Sequence, residues 1–390
     1  MGQGVTVPRW RGRGRSLMAR TRGGLVISDG GDRRVERWTS GDVTPKYLPQ
    51  GPAGYVMSSG TIYTDEDAEE AYLDDRTVAV VGYGNQGRSQ ARNLRDSGVD
   101  VVVGNRDDDY RAVAREDGFD VLDIPDAVAR GDVVVLLVPD EVAPDVYAAS
   151  VEPDLSAGDV LCFSHGYNVS YHQIEPPETV DVVLVAPRMG GWAVRSLYES
   201  GDGFPSILAV HRDASGEAKD VALAYAHAIG STKAGVVEGT FDMETITDLL
   251  TEQALIPMIM AAFQAKFQVE RAYGIPEEII LAEQYLSGEF GEIFDAMARE
   301  GYLGQLPNHS RTSQYGQLSR FDAFDVDPLV DFADAQLRAI DNGAFVREWS
   351  TEQSLGRPGL KRLYERVAET DYFRAERRTR ERLFPDRETE

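Results

Sequence analysis

The sequence predicts an α/β fold of the doubly wound Rossmann type, followed by an all-α domain. Three observations carry this. A glycine loop stands between an apolar run and a helical stretch; further β-branched runs with short connections continue to about residue 235; and after Gly239 apolar residues recur every three or four positions. The chain has 390 residues, 42% hydrophobic and 27% charged, which at roughly 150 residues per domain allows two or three domains with apolar cores. The division read from the sequence is an extension over 1–56, a nucleotide-binding domain over 57–237 and a helical domain over 238–390.

The extension is set apart by composition. Its ten Lys and Arg face only Asp29, Asp32, Glu36 and Asp42, giving +6, whereas the rest of the chain carries −31. It is rich in Gly, Arg and Pro and has no sustained period, so it reads either as a disordered tail or as an artefact of a start codon placed ahead of Met57. No function is expected there.

From Thr77 the sequence runs TVAVVGYGNQGRSQARNLRDSGVDVVVGNRDD. The strand Val78–Val81 leads into Gly82-Tyr83-Gly84-Asn85-Gln86-Gly87, then a helix over Arg88–Ser97, a turn at Gly98 and a strand over Val99–Val103. In this context GxGxxG is a strong dinucleotide signal. The first glycine permits a tight turn, the second a close approach of backbone to pyrophosphate and the third close packing of helix on strand. The helix amino terminus offers free N–H groups to the phosphates. Further strands are expected at Val133–Pro139, Val160–Phe163, Val180–Ala186 and Ile207–Val210; the runs VVVLLV and VDVVLVA suit a parallel sheet buried on both faces.

Beyond the second strand stand Arg106, Asp107, Asp108 and Asp109. A carboxylate here accepts from the adenosine ribose hydroxyl and repels a 2′-phosphate, while an arginine attracts it. Three acids beside one arginine favour NADH over NADPH.

The helical half opens with FDMETITDLLTEQALIPMIMAAFQ. Glu244, Asp248 and Glu252, spaced i, i+4, i+8, share one helix face. Carboxylates so placed repel unless a cation lies between them, and a hard divalent ion such as Mg²⁺ fits oxygen ligands; a solvated acidic face is the competing explanation. His165 follows the strand Val160–Phe163, and Arg188 follows the strand ending at Ala186. Both lie where ligands bind in α/β sheets, outside the carboxyl ends of strands. His172, His211, His227 and His309 are read as structural or exposed. No GxSxG, HExxH or P-loop pattern occurs.

Net charge is −25, from 65 acids against 40 bases, and only five of those bases are lysines. Such a chain repels phosphate backbones, so nucleic acid is not an expected partner, and the acidic, lysine-poor composition suits concentrated salt. The single cysteine, Cys162, excludes a disulfide framework and, with the lack of any unbroken apolar run of ~18 residues, points to a cytoplasmic protein without a membrane partner.

Taken together, the chain resembles the ketol-acid reductoisomerase (acetohydroxy-acid isomeroreductase) family from about Met57 to Tyr315. The segments that carry the resemblance are IYTDEDAEEAYLDDRTVAVVGYGNQG, SHGYNVSYHQIEPP, APRMGGWAVRSLY, ETITDLLTEQALI and HSRTSQYG. The resemblance implies the short form of the family, with a knotted helical domain, two Mg²⁺ ions and NAD(P)H. It also implies conversion of 2-acetolactate or 2-aceto-2-hydroxybutyrate to a 2,3-dihydroxy acid by alkyl migration and hydride reduction. By the same resemblance Asp248 and Glu252 are metal ligands, with Glu289 and the substrate-binding Ser310 coming from the partner in a homodimer or larger homo-oligomer with a shared site. His165 matches the active-site histidine. The chain departs from the family pattern at Arg188, where the family has lysine, and at Tyr285, where it has a metal-site glutamate; Glu283 lies two residues away. These departures leave open a relative that reduces a 2-oxo acid without the alkyl shift. A silent nucleotide-binding paralogue is opposed by the joint presence of Asp248, Glu252, His165 and Ser310.

Overall fold

The β-branched runs assemble into one sheet. The computed structural model describes residues 60–385 together with 19–21 and 24–26. In the unit Met1–Ser59, strands β1 (Ala19–Thr21) and β2 (Gly24–Val26) pair antiparallel; the other expectations for 1–56 lie outside the described residues.

The unit Gly60–Glu390 carries the sheet. Its strands are β3 (Ile62–Tyr63), β4 (Thr77–Val81), β5 (Asp100–Gly104), β6 (Asp120–Leu122), β7 (Val133–Leu136), β8 (Val160–Phe163), β9 (Asp181–Pro187), β10 (Ser206–Arg212) and β11 (Val236–Glu238). They lie in the order β3-β11-β10-β9-β8-β7-β4-β5-β6. Strands β4 to β9 are parallel, as the continuous apolar runs predict, but the sheet is mixed: β10 runs antiparallel to β9, and β3 antiparallel to β11. The reason is visible in β10, where Val210, His211 and Arg212 are half-buried or exposed; a strand near the margin needs only one covered face and is free to reverse. Strand β7 stops at Leu136, short of the expected Pro139. Proline offers no N–H to a ladder, and the Pro139 carbonyl instead accepts from Val142 and Ala143 to start the next helix.

Alternation along β4 divides the core. Val78 and Val80 face one layer, with helices α1 (Asn85–Asp96), α6 (Gly191–Ser200) and α7 (Ala218–Ile229). Ala79 and Val81 face the other, with α3 (Ile124–Arg130), α4 (Ala143–Ser150) and α5 (Tyr167–Ser170). Helix α2 (Asp109–Glu116) joins β5 to β6. Each fully buried valine or leucine of these layers contributes roughly 1.5–3 kcal/mol.

After β11 the chain is helical. Thr240 caps α8 (Phe241–Leu250) by accepting from the Met243 N–H at 3.1 Å. A π-turn over Thr251–Leu255 joins α8 to α9 (Ile256–Ala272), and the second π-turn, Ala282–Leu286, follows α10 (Glu277–Leu281). Helices α11 (Glu289–Glu300), α12 (Tyr302–Gln305), α13 (Arg311–Phe321) and α14 (Asp327–Asp341) come next, then α15 (Ala344–Ser354), α16 (Pro358–Ala368) and α17 (Asp371–Leu383). Leu249 of α8 packs with Ile340 of α14 and Tyr167 of α5, tying the helical part to the sheet. The combined helix Phe241–Ala272, 32 residues whose most apolar 18-residue stretch has mean hydropathy 1.3, is long and apolar enough to cross a membrane by length and composition, which counting unbroken apolar runs missed. Only 11% of its most apolar stretch is buried within the chain.

Candidate active site

The glycine loop takes the form its spacing predicts. Gly82 adopts φ +95°, a left-handed conformation open to glycine, and a side chain there would strike the Leu137 carbonyl. A Cβ on Gly87 would enter the Gly82 carbonyl oxygen, so α1 packs on the loop only because this residue has none. Gly84 faces open space and serves as N-cap of α1 without any side-chain cap, so the first N–H groups of the helix point outward without a side-chain partner. Asn105, at the end of β5, accepts from the Tyr83 N–H at 3.1 Å and holds the loop's shape. Between Gly84–Gln86, the segment after β7 and Phe163–His165 lies a cleft of about 300 Å³. It sits where strand order reverses between β4 and β7, the position at which open α/β sheets bind nucleotides. A backbone cradle that a Cβ would block, at an uncapped helix amino terminus, fits the pyrophosphate of NAD(P)H.

The three acids after β5 are not equivalent. Asp108 is the N-cap of α2: its carboxylate accepts from the Tyr110 and Arg111 N–H groups, from Asn105 Nδ2 at 2.8 Å and from Arg106 Nε at 2.6 Å. Asp107 and Asp109 are exposed, and the Arg106 side chain is 79% exposed beyond its contact with Asp108. A cap pattern of Asp ahead of a helical stretch could have flagged Asp108 in the sequence.

Helix α8 docks on the sheet through Gly166, just past β8. A Cβ at Gly166 would lie 2.5 Å from Thr245 Oγ1 and 2.7 Å from the Phe241 carbonyl oxygen. This close approach lets the wholly buried Glu244 accept the Gly166 N–H at 2.7 Å. Glu244 also accepts from Arg188 Nη2 at 2.6 Å, while Arg188 Nη1 donates to Asp248 Oδ1 at 3.1 Å. Burial pushes the Glu244 carboxyl above the ordinary glutamate value, against the favourable charges of His165 and Arg188. The row of three carboxylates therefore divides. Glu244 anchors the helix to the sheet, whereas Asp248 and Glu252 open into a chamber of about 880 Å³, walled across from them by residues of α15 and α16 such as Phe345, Trp349 and Leu360. Burial, then the neighbouring Asp248 charge, raises the Glu252 carboxyl.

His165 stands between the cleft and the chamber, and with Asp140 it lines both. Its Nδ1 lies 2.7 Å from Asp140 Oδ2, and its buried Nε2, with no hydrogen-bond partner among the described residues, lies 3.5 Å from Asp248 Oδ2. Burial disfavours the charged ring, but the Asp140 hydrogen bond and the charges of Asp140, Glu244 and Asp248 outweigh it and raise the imidazole to about 9.

The structure thus brings together the glycine loop, His165, Arg188, Asp248 and Glu252. It does not bring Glu289 or Ser310 to them. Glu289 is exposed at the start of α11, and Ser310 is the exposed N-cap of α13, accepting from the Ser313 N–H at 3.3 Å. Among the described residues of one chain no three His, Cys, Asp or Glu side chains converge as a metal cage. The expected metal set of Asp248, Glu252 and Glu289 is therefore not assembled among the described residues of one chain. Asp248 and Glu252 still offer adjacent hard oxygen donors, and the Arg188 guanidinium already rests on one of them, so their chemistry fits a divalent cation once further donors are supplied. Tyr285 is half-buried beside Phe263 and does not line this chamber; burial first, and then Tyr372, raise its phenol. Sequence reasoning missed Asp140, although its place at the carboxyl end of β7 was the available signal.

Residues 72–235 match the family model described as acetohydroxy acid isomeroreductase, NADPH-binding domain, and residues 241–384 match ketol-acid reductoisomerase, C-terminal domain. The chain is 44% identical over 314 residues to the ketol-acid reductoisomerase (NADP(+)) of Methanopyrus kandleri, spanning 78% of this chain and 93% of that one. With the enzyme of that name from Haloarcula marismortui it shares 43% identity over 309 residues, 77% of this chain and 87% of the other. Among solved structures, an NADH-preferring ketol-acid reductoisomerase from an uncultured archaeon superposes with TM-score 0.77 at 38% identity, covering 83% of this chain and 99% of that one.

Proposed function

The chain belongs to the ketol-acid reductoisomerase family, and on that footing we propose that its two adjoining cavities share one reaction, the cleft holding the hydride donor and the chamber holding the substrate. The activity is that of an NAD(P)H-dependent oxidoreductase and isomerase. It converts 2-acetolactate or 2-aceto-2-hydroxybutyrate to 2,3-dihydroxy-3-methyl acids in branched-chain amino-acid biosynthesis.

The observation that carries the assignment of roles is that His165 and Asp140 line cleft and chamber alike, with Asp248 beside them. In this reading the α1 amino terminus binds the pyrophosphate, and the segments after β7 and β8 shape the nicotinamide end of the cleft. Asp248 and Glu252 hold Mg²⁺, which when bound supplies Lewis acidity toward the substrate's oxygens. Arg188, fixed by Glu244, keeps a positive charge beside Asp248 where negative charge develops on substrate oxygen. His165 presents Nε2 to the same region. Helices α15 and α16 cover the chamber and limit water.

Four further features belong to this proposal. The nucleotide is NADH in preference to NADPH, supported by the free carboxylates of Asp107 and Asp109, by the hold of Asp108 on Arg106, and by likeness to an NADH-preferring relative. The working form is a homodimer or larger homo-oligomer that completes the site with the partner's copies of the residues at positions 289 and 310. Supporting this are the exposure of Glu289 and Ser310 and the apolar outer surface of α9, where Val269 is 71% exposed. The division near 237/238 is supported by the end of the sheet at Glu238 and by the boundary between the two family matches. The acidic composition suits a cytoplasm of high salt.

The test follows loss of nicotinamide absorbance in high KCl with Mg²⁺. It offers 2-acetolactate in one cuvette and its rearranged isomer, 3-hydroxy-3-methyl-2-oxobutyrate, in another. Turnover of both is expected. Turnover of the rearranged compound alone would assign reduction without isomerisation, a reading to which Arg188 lends its support. Clear preference for NADPH would overturn the nucleotide assignment. Asp248→Asn should abolish Mg²⁺-dependent turnover and leave nucleotide binding unchanged; undiminished turnover would remove Asp248 from the site.

A further inference from the structure

The imidazole of His165 can in principle take two orientations, related by a half-turn about Cβ–Cγ, that present either a ring nitrogen or a carbon to the chamber. Three contacts select one. The Tyr167 ring stacks beside the imidazole at 5.9 Å with 25° between planes, which fixes the plane. Asp140 Oδ2 sits 2.7 Å from Nδ1, which fixes the rotation. Asp140 is itself held at its backbone carbonyl (3.3 Å) and Oδ1 (3.4 Å) by Nδ2 of the buried Asn168. An ionised carboxylate only accepts, so this geometry places a hydrogen on Nδ1. Nε2 is left facing Asp248 with no hydrogen-bond partner among the described residues, an arrangement that makes sense if its partner is a bound ligand.

We propose that Asp140 is a positioning residue for the reaction: it clamps His165 through Nδ1 so that Nε2 is aimed at the substrate region beside Asp248 and Glu252. The inference rests on the proposed function for its chemical meaning and on the geometry of the Asp140–His165 pair for its substance. Asp140 touches neither cavity's reacting atoms through chemistry of its own. Its contribution is the orientation of the neighbouring ring, which a free imidazole would lose to rotation. The same carboxylate, standing where cleft and chamber meet, ties the ring's orientation to the floor of the nucleotide cleft.

The experiment uses full-length protein labelled with ¹⁵N-histidine. The chain has five histidines, so the imidazole spectrum is resolvable, and His165→Gln assigns the signals of interest. The parent should show a downfield Nδ1–H proton on His165, and this signal should vanish in Asp140→Ala and shift in Asp140→Asn. Turnover should fall roughly 10²-fold or more in kcat for both variants, while KM for the acetohydroxy acid and Kd for NAD(P)H stay within about threefold. Asp140→Glu, which restores a carboxylate, should recover part of both the signal and kcat. Where Asp140→Ala fails to fold, Asp140→Asn and Asp140→Glu still decide the question. An unchanged His165 signal in Asp140→Asn, or a loss that falls equally on KM and nucleotide Kd with no change in kcat, would overturn the proposal. Absence of turnover in the parent would instead count against the functional reading, and the spectrum would then judge the clamp alone.

Discussion

Gly166 is the point at which the helix bearing Asp248 and Glu252 meets the sheet, and Gly166→Ala probes it directly. The added methyl would sit 2.5 Å from Thr245 Oγ1 and 2.7 Å from the Phe241 carbonyl oxygen, where ordinary contact begins at 3.4 Å. Thr245 can rotate its hydroxyl away, but the Phe241 carbonyl belongs to the helix backbone. Helix α8 must therefore withdraw by roughly 0.7 Å, which by the usual cost of overpacking destabilises the chain by about 1–3 kcal/mol. The same retreat lengthens the Gly166–Glu244 hydrogen bond and carries Asp248 away from His165. Since a misplacement of 1 Å in a reacting constellation costs about 10²-fold, kcat should fall roughly 10- to 100-fold. Urea unfolding gives the first quantity, and Mg²⁺-dependent oxidation of the nicotinamide gives the second. Nucleotide Kd, measured by fluorescence titration, should stay within about twofold because the glycine loop lies outside this contact. A variant with kcat within about threefold of the parent and stability within about 0.5 kcal/mol would show that α8 does not bear on Gly166 as described.

Arg188→Lys keeps the charge but loses the fork that spans Glu244 and Asp248, so stability to urea should drop by about 1–2 kcal/mol while turnover stays within about tenfold. In Gly87→Ala the new methyl forces open the turn at Gly82, and the Kd for NAD(P)H should rise at least about 30-fold, or about 2 kcal/mol, in the same fluorescence titration. Asp117 is held below the ordinary carboxylate value of 3.8 by the hydrogen bond from Arg88 and, against burial, by Tyr83. A depressed folded-state value means this stabilisation is fully present above 3.8 and is lost only as pH falls through the lower folded value. The gap in Tm between parent and Asp117→Asn should accordingly be constant from neutral pH down to about 4 and close in stronger acid, and a gap that widened on acidification would reverse the argument.

The nucleotide half was the more legible because its signals are local. Strand, glycine turn and helix follow one another within a few residues, and each glycine answers a backbone demand that only glycine meets. The reversal of β10 was hidden, since the sense of a strand depends on what lies beside it, and only the weakly buried Val210–Arg212 end of β10 hints at a margin. The spacing of Glu244, Asp248 and Glu252 gave a shared helix face but could not tell an anchor from an open carboxylate. That distinction came from Gly166, some eighty positions earlier, which buries Glu244 and leaves the others in the chamber. Similarly, Asp107, Asp108 and Asp109 looked alike until α2 took Asp108 as its cap. Glu289 and Ser310 entered only through the family resemblance; both are exposed within one chain, and no local pattern ties either to the chamber.

The widened turn at Thr251–Leu255 has a mechanical consequence. A surplus residue in a helix advances its register, so the stripe facing inward before the turn and the stripe facing inward after it no longer line up. Upstream, the rod is bolted to the sheet through Phe241, against Phe163, and through Glu244, at Gly166; downstream, it offers oily side chains such as Ile256 and Val269 in another direction. One uninterrupted cylinder thereby presents two different faces, and the surplus residue is the swivel between them. Excising a single amino acid there would leave the cylinder straight and regular, yet turn everything beyond it by about 100°.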